Sequence, residues 1–386
     1  MRVAVIVKNL TMGGMQRAAV NLSETFAAQG HETHLIYFKA KHKALQPSEN
    51  VHLHLLDLEK ALKRTGIGAL LYPFAKLLNG LVRHSYFVWQ GLLLAPVFKH
   101  LFKKLQREQG AFDLIIIRGQ GTFEMIWPFN DRRLVLQQVN VIRHRNGLLH
   151  DFFLRRLFDK KQVMCNAPSV YDELLGEFRQ SGIHPKSLTV IPSPINVRAI
   201  QEKAQAYEPD YPHPYIINVG RFSHAKNLSL LIDAFAYAKQ KLGMRQHLVL
   251  VGDGELKKEY LAQIKAYGLE AYVHFTGVLK NPYPWMKKAD LFVFTSFFEG
   301  LPNVLLESLC CHTGIVSTRG RGGTLNIMSG DLEQNLTAFD KVELAEKMTE
   351  VLASKQAIDF ENHLEAYSPS QVVHSYIAAY GTPSGN

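Results

Sequence analysis

Short apolar runs alternate along the chain with segments whose apolar positions recur at helical spacing. Arg2–Val7 is such a run, Gln16–Gln29 has the helical pattern, and Thr33–Phe38 returns to the strand pattern. A strand–helix–strand unit of this kind joins parallel strands. Asp113–Arg118, Leu134–Asn140, Val163–Ala167 and Leu188–Pro192 continue the series. The next stretch holds Pro192, Pro194, Pro209, Pro212 and Pro214, a density of breakers that suits a linker. Beyond it the alternation restarts with strands at Tyr215–Gly220, His247–Gly252, Tyr272–Gly277, Asp290–Ser296 and Gly314–Arg319. Between them lie amphipathic segments such as Leu228, Leu231, Ile232 and Phe235, which share one helical face. The pattern predicts an α/β protein of two tandem Rossmann-like domains, residues 1–195 and 196–365, followed by a C-terminal helix and tail over 366–386. Open parallel sheets bind ligands beyond the carboxyl ends of their strands, so two such sheets are expected to face a central cleft.

Length and composition narrow the class. At 386 residues the chain exceeds what one hydrophobic core sustains, and its 47% hydrophobic and 20% charged residues exclude extended disorder. The net charge of +10 is unevenly placed: residues 1–195 carry 26 Lys/Arg against 14 Asp/Glu, a balance of +12 that leaves −2 for the remainder. Nucleic acid is not expected as a partner, because no base-reading motif or interleaved stacking aromatics accompany the basic charge. An anionic membrane surface or a phosphorylated acceptor fits it better. The three cysteines, Cys165, Cys310 and Cys311, offer neither a disulfide framework nor metal-ligand spacing, so a cytoplasmic location is expected. Val3–Val7, ended by Lys8, is too short for the apolar core of a signal peptide.

An insertion over Lys60–Arg107 contains nine Lys/Arg and no Asp or Glu, and is rich in Leu, Phe, Tyr and Trp. Lys76, Arg83 and His84 interrupt it, and Gly80, Gly91 and Pro96 are expected to divide it into short helices. That composition predicts interfacial docking on the inner face of a membrane, with Phe87 and Trp89 as anchors and Lys99, Lys103, Lys104 and Arg107 meeting anionic lipid. The competing reading is that these helices only cover the first sheet.

The candidate chemistry lies just after strands of the C-terminal half. Gly220-Arg221-Phe222-Ser223-His224-Ala225-Lys226-Asn227 follows the strand Tyr215–Gly220 and opens a helix. A guanidinium fork and a compact ammonium on one loop are suited to a diphosphate and to the charge that grows on it as it leaves. Phe298-Glu299-Gly300-Leu301-Pro302-Asn303-Val304-Leu305-Leu306-Glu307 follows the strand Asp290–Ser296. Pro302 suits a first helical turn, and free N–H groups at Asn303 and Val304 then form an anion site. Glu307, one turn beyond Asn303, can accept hydrogen bonds from ribose hydroxyls, while Glu299 precedes the helix and projects toward a sugar.

These segments, with Gly252-Asp253-Gly254, resemble the donor half of the retaining glycosyltransferase family 4, whose fold is the two-Rossmann GT-B architecture; Gly13-Gly14 after the first strand resembles its N-terminal loop. The resemblance is strong over 215–323 and weak over 40–190, and implies a bacterial cell-surface polysaccharide or lipopolysaccharide enzyme whose C-terminal helix crosses back to the first domain. It implies that Arg221 and Lys226 bind the donor diphosphate, Glu299 the donor sugar and Glu307 the ribose. Gly13, Gly14, Gly252, Gly300, Leu301, Pro302, Asn303 and Val304 then line the nucleotide sugar. The family's catalytic His follows a mid-domain strand; this chain has Val139-Asn140 there, and His144, ahead of His150, is the candidate. Ala167 stands where many relatives have Ser. The implied reaction retains anomeric configuration, uses a nucleotide-diphosphate sugar with UDP favoured, needs no cofactor or metal, and acts on a lipid-linked or saccharide acceptor. A nucleotide-sugar epimerase, a sugar phosphorylase and a non-catalytic sugar-nucleotide binding protein remain alternatives.

Overall fold

A computed structural model describes residues 1–11, 13–40, 45–82, 85–139, 150–354 and 357–381. The chain forms two compact units: Met1–Pro194 together with the segment from Pro369 onward, and Ile195–Ser368.

The first unit is built on seven strands, β1 (Arg2–Asn9), β2 (Glu32–Lys39), β3 (Val51–Leu55), β4 (Leu114–Arg118), β5 (Leu134–Gln138), β6 (Gln162–Cys165) and β7 (Ser187–Val190). All pair in parallel, in the order β3-β2-β1-β4-β5-β6-β7. Val3–Val7 and Leu114–Ile117 are wholly buried, as strands covered on both faces must be. The edge strand β3 escaped the patterning, because His52 and His54 alternate with its apolar residues. The C-terminal helix Pro369–Tyr380 belongs to this unit and buries Val372, Val373 and Tyr376 in the layer beneath β1.

Among the described residues of 58–109, Leu58–Lys63, Ile67–Leu81 and Tyr86–Gln109 are helices. Gly91 and Pro96 therefore do not divide the insertion as expected. A Cβ at Gly91 would lie 2.2 Å from Trp127 Cδ1, so this glycine serves helix packing. Pro96 is exposed one turn beyond exposed Leu92, on a face where water can satisfy the carbonyl that the proline leaves without a donor. Phe87 is buried edge-on against Phe153, and half-buried Trp89 donates from Nε1 to Ser85 Oγ at 2.9 Å. Neither is the free anchor expected of them: both side chains are held by their own unit.

The second unit contains β8 (Tyr215–Val219), β9 (His247–Val251), β10 (Val273–Gly277), β11 (Leu291–Phe294), β12 (Phe298–Glu299), β13 (Ile315–Thr318), β14 (Arg321–Gly322) and β15 (Leu336–Thr337). Its parallel sheet runs β10-β9-β8-β11-β13-β15, and β12 pairs with β14 as a separate two-stranded ribbon. In both sheets the chain order reverses direction next to the first strand, between β1 and β4 and between β8 and β11. Such switch points are where doubly wound sheets open a crevice for a ligand.

Candidate active site

The switch point of the second unit brings the two candidate segments together. The loop after β8 carries Arg221 and Lys226, and the loop after β11 carries Glu299 and leads into the helix Asn303–Cys310. Two bonds tie the loops: the Thr295 hydroxyl donates to the Lys226 carbonyl at 2.9 Å, and the Phe297 N–H to the Ala225 carbonyl at 3.0 Å. Lys226 Nζ then donates to Glu299 Oε1 at 2.5 Å and lies 5.8 Å from the centre of the Phe294 ring. Both charged side chains are mostly covered, 24% and 22% exposed, so the pair is shielded more than a surface bridge. Arg221 is more open and reaches Glu255 Oε2 at 3.2 Å. The Glu255 carboxyl is held below its usual range, first by its own backbone N–H and then by Arg221.

Glu299 is fixed by its backbone. It lies in β12 opposite Gly322 of β14, and the Gly323 N–H donates to its carbonyl at 3.0 Å. Gly322 has φ +99°, and a Cβ there would stand 1.8 Å from the Glu299 carbonyl oxygen, so only glycine lets the strands approach this closely. The sequence reading missed this role; its signal was the glycine-dense run Gly320-Arg321-Gly322-Gly323. Gly252 is likewise structural: φ is +141°, and a Cβ would meet the Gly220 carbonyl oxygen at 1.9 Å. It packs the turn after β9 beneath the Arg221 loop.

Pro302 is the residue before the helix rather than part of its first turn, with ψ +83°. The reason is local bonding. The Asn303 N–H is taken by the Leu301 carbonyl at 2.9 Å, and the Leu305 N–H by that of Pro302 at 2.9 Å. Gly300 and Leu301 therefore form the turn into the helix, and Val304 supplies the first-turn amide left without a backbone acceptor among the described residues. Glu307 Oε1 accepts from the Tyr283 hydroxyl at 3.3 Å, a partner contributed by a separate helix, Tyr283–Lys288. Nothing in the local sequence pointed to Tyr283.

In the first unit, Gly13 is extended and caps the exposed start of the helix Gly14–Ala28, and a Cβ on Gly14 would meet nothing within 4 Å. Gly14 is thus not demanded by packing. Arg118, at the carboxyl end of β4, is 2% exposed and has no carboxylate partner among the described residues; it donates to Gln137 Oε1 at 2.7 Å and Ser193 Oγ at 3.1 Å. Burial pushes its pKa down to about 10. His144 lies outside the described residues, as does Asn140. Cys165, Cys310 and Cys311 are buried free thiols, each pushed up to about 12 by burial.

With this geometry in view, residues 199–370 match the family model "Glycosyl transferases group 1". Residues 199–370 thus form a group 1 glycosyltransferase domain, and the chain is a glycosyltransferase. It is 27% identical over 340 residues, 86% of this chain and 84% of the relative, to the N-acetylgalactosamine-N,N'-diacetylbacillosaminyl-diphospho-undecaprenol 4-alpha-N-acetylgalactosaminyltransferase of Campylobacter jejuni. A second enzyme of that organism, which extends a GalNAc-containing diNAcBac-PP-undecaprenol, is 30% identical over 138 residues, 36% of this chain and 38% of the relative. Among solved structures, Anabaena Alr3699/HepE in complex with UDP superposes with a TM-score of 0.67 at 17% identity, covering 98% of this chain and 99% of that one. A glycosyltransferase from Rickettsia africae reaches 0.69 at 13% identity, covering 98% and 97%. The glycosyltransferase shares the GT-B fold of these structures, and further relatives are named for lipopolysaccharide core, capsular polysaccharide and amylovoran biosynthesis.

Proposed function

We propose that this glycosyltransferase moves a sugar from a UDP-sugar to a lipid-linked saccharide at the cytoplasmic face of a membrane, with retention of anomeric configuration and without a metal. The observation that carries the donor half is the Lys226–Glu299 pair held between the loops of the β8/β11 switch point. Lys226 and Arg221 hold the diphosphate and stabilise the charge on the departing nucleotide. Glu299 accepts hydrogen bonds from the donor sugar, Glu307 from the ribose, and the Val304 amide donates to phosphate. When donor arrives, Lys226 exchanges a carboxylate for a phosphate, so its charge is already in place before reaction. The bond from anomeric carbon to phosphate oxygen breaks while the acceptor oxygen bonds on the same face, and the acceptor proton passes to the released phosphate. His144 is the proposed neighbour of the reacting carbon.

Two observations support a lipid-linked acceptor. The Campylobacter enzymes named above carry diphospho-undecaprenol acceptors in their names. The helix Ile67–Leu81 turns its apolar face outward: Ile67, Leu70 and Leu81 are 70%, 78% and 79% exposed, and Phe74 and Leu77 share that face. Gly68, Tyr72 and Ala75 are its buried side. Lys99, Lys103, Lys104 and Arg107 are exposed on the helix Tyr86–Gln109 of the same unit. No helix among the described residues is long and apolar enough to cross a membrane, so the apolar face suits insertion into a headgroup layer.

The deciding experiment presents the enzyme with UDP-, GDP- and ADP-sugars, with and without a polyprenyl-diphosphate saccharide. It measures nucleotide release and reads the anomeric configuration of the product by NMR. Acceptor-dependent UDP release and a retained configuration are expected. An inverted product, or transfer from another nucleotide alone, overturns the proposal.

A further inference from the structure

The edge of the first sheet gathers a second constellation that the transfer reaction does not use. Strands β2 and β3 pair in parallel with His34 opposite His52 and Ile36 opposite His54. Glu32 and His34 are two residues apart on one strand, and His52 and His54 on the next, so all four side chains leave the same face. One ligand atom each from Glu32, His34 and His52 lies within 4.8 Å of the others. We infer that Glu32, His34 and His52 bind one borderline divalent cation of the Zn2+ type, with His54 fixing the tautomer of His34.

The inner contacts favour this reading. His34 Nε2 stands 3.2 Å from Glu32 Oε1, and His34 Nδ1 stands 2.9 Å from His54 Nε2. When Nδ1–H donates to His54, the Nε2 lone pair faces a carboxylate oxygen. Two acceptors then oppose each other, and a cation between them satisfies both. Their separation is close to the roughly 3.4 Å between ligand atoms of a tetrahedral site whose bonds are about 2.0–2.1 Å. The remaining Glu32 oxygen is engaged by Arg2 at 2.7 Å, which orients the carboxylate as outer groups orient metal ligands. His34 is fully buried, with the Phe112 ring edge-on at 5.0 Å, so the central ligand is held in place.

His52 is exposed and gives the ion a route in, leaving a coordination position for water. Two imidazoles and one carboxylate select Zn2+, Ni2+, Co2+ or Cu2+ over Mg2+ or Ca2+. Glu32 opens β2, so the site lies at the amino ends of the strands, opposite the end where Gly13–Gly14 follows β1. Its effect is to cross-link the edge strand β3 to the body of the sheet, and it takes no part in transfer.

The test uses tag-free, full-length protein stripped with a chelator and titrated with Zn2+ by calorimetry. One equivalent is expected to bind, Co2+ should give visible d–d absorption, and zinc at about a hundredfold over its Kd should raise the thermal midpoint by roughly 5 °C. His52→Gln and Glu32→Gln alter exposed side chains, and circular dichroism of the stripped proteins checks their folding. Each should weaken zinc binding by about tenfold or more, while His100→Gln, outside the cluster, should leave it unchanged. Failure of the wild type to bind a full equivalent, or unchanged affinity in both His52→Gln and Glu32→Gln, would overturn the inference.

Discussion

Lys226 Nζ and Glu299 Oε1 stand 2.5 Å apart across 73 residues of sequence. The family resemblance implies that one holds the donor's diphosphate and the other its sugar, and in the structure the two side chains satisfy each other. Removing either side chain therefore also strands its partner, so their effects are coupled.

Lys226→Ala should lower kcat by about 10²- to 10³-fold, the usual loss when one preorganised charge-stabilising group is removed. Glu299→Ala should also lower turnover while affinity for free UDP barely changes. The double variant should lose less than the product of the two single losses. A full set of kcat values for the four proteins checks this; strict multiplicativity would contradict the coupling.

Glu307→Ala should weaken free UDP and UDP-sugar alike, because the proposed ribose contact is common to both. Tyr283→Phe removes the hydroxyl that donates to Glu307 and should weaken UDP by a smaller amount, about 1 kcal/mol, the typical worth of one hydrogen bond. Calorimetric titration of UDP into both variants and Glu299→Ala distinguishes the roles. Equal loss in Glu299→Ala and Glu307→Ala would refute the division of labour.

Arg221→Ala should reduce turnover strongly but leave the unfolding midpoint nearly unchanged, since exposed ion pairs contribute little. Gly252→Ala should do the reverse at the level of the fold. Its positive φ and the 1.9 Å approach to Gly220 make a destabilisation of about 2 kcal/mol or more the expected result in urea unfolding.

The exposed face of the helix Ile67–Leu81 predicts co-sedimentation with vesicles containing anionic lipid. Leu70→Ser with Phe74→Ser and Leu77→Ser should remove the salt-resistant part of that binding without unfolding the protein, because these side chains are exposed. Reversing Lys99, Lys103, Lys104 and Arg107 to Glu should abolish most of the salt-sensitive part, each cation contributing about 1 kcal/mol near an anionic surface. Wild-type protein left in the supernatant at low salt would end the docking proposal.

Turnover should survive EDTA, as a donor site built on Lys226 and Arg221 requires. A loss of activity in EDTA that manganese restores would contradict the metal-free transfer.

Patterning along the chain was enough for the two parallel α/β units and for the position of Arg221, Lys226, Glu299 and Glu307 after strands of the second unit. Apolar runs dictate buried parallel strands, and ligand-binding residues follow such strands directly in the sequence, so local order carries the information. It failed where a residue's environment comes from distant chain. Val51–Leu55 was passed over because alternate histidines suit an edge strand, which only the sheet order defines. Phe87 and Trp89 read as surface aromatics until Phe153 and Ser85 were seen to hold them, while the outward apolar face fell to Ile67–Leu81. The roles of Gly252 and Gly322 depend on carbonyls of Gly220 and Glu299, and the opposition of His34 and His52 on a strand register. Such contacts arise when separate strands and loops pack, and tertiary structure alone decides which side chains then share a face or a charge.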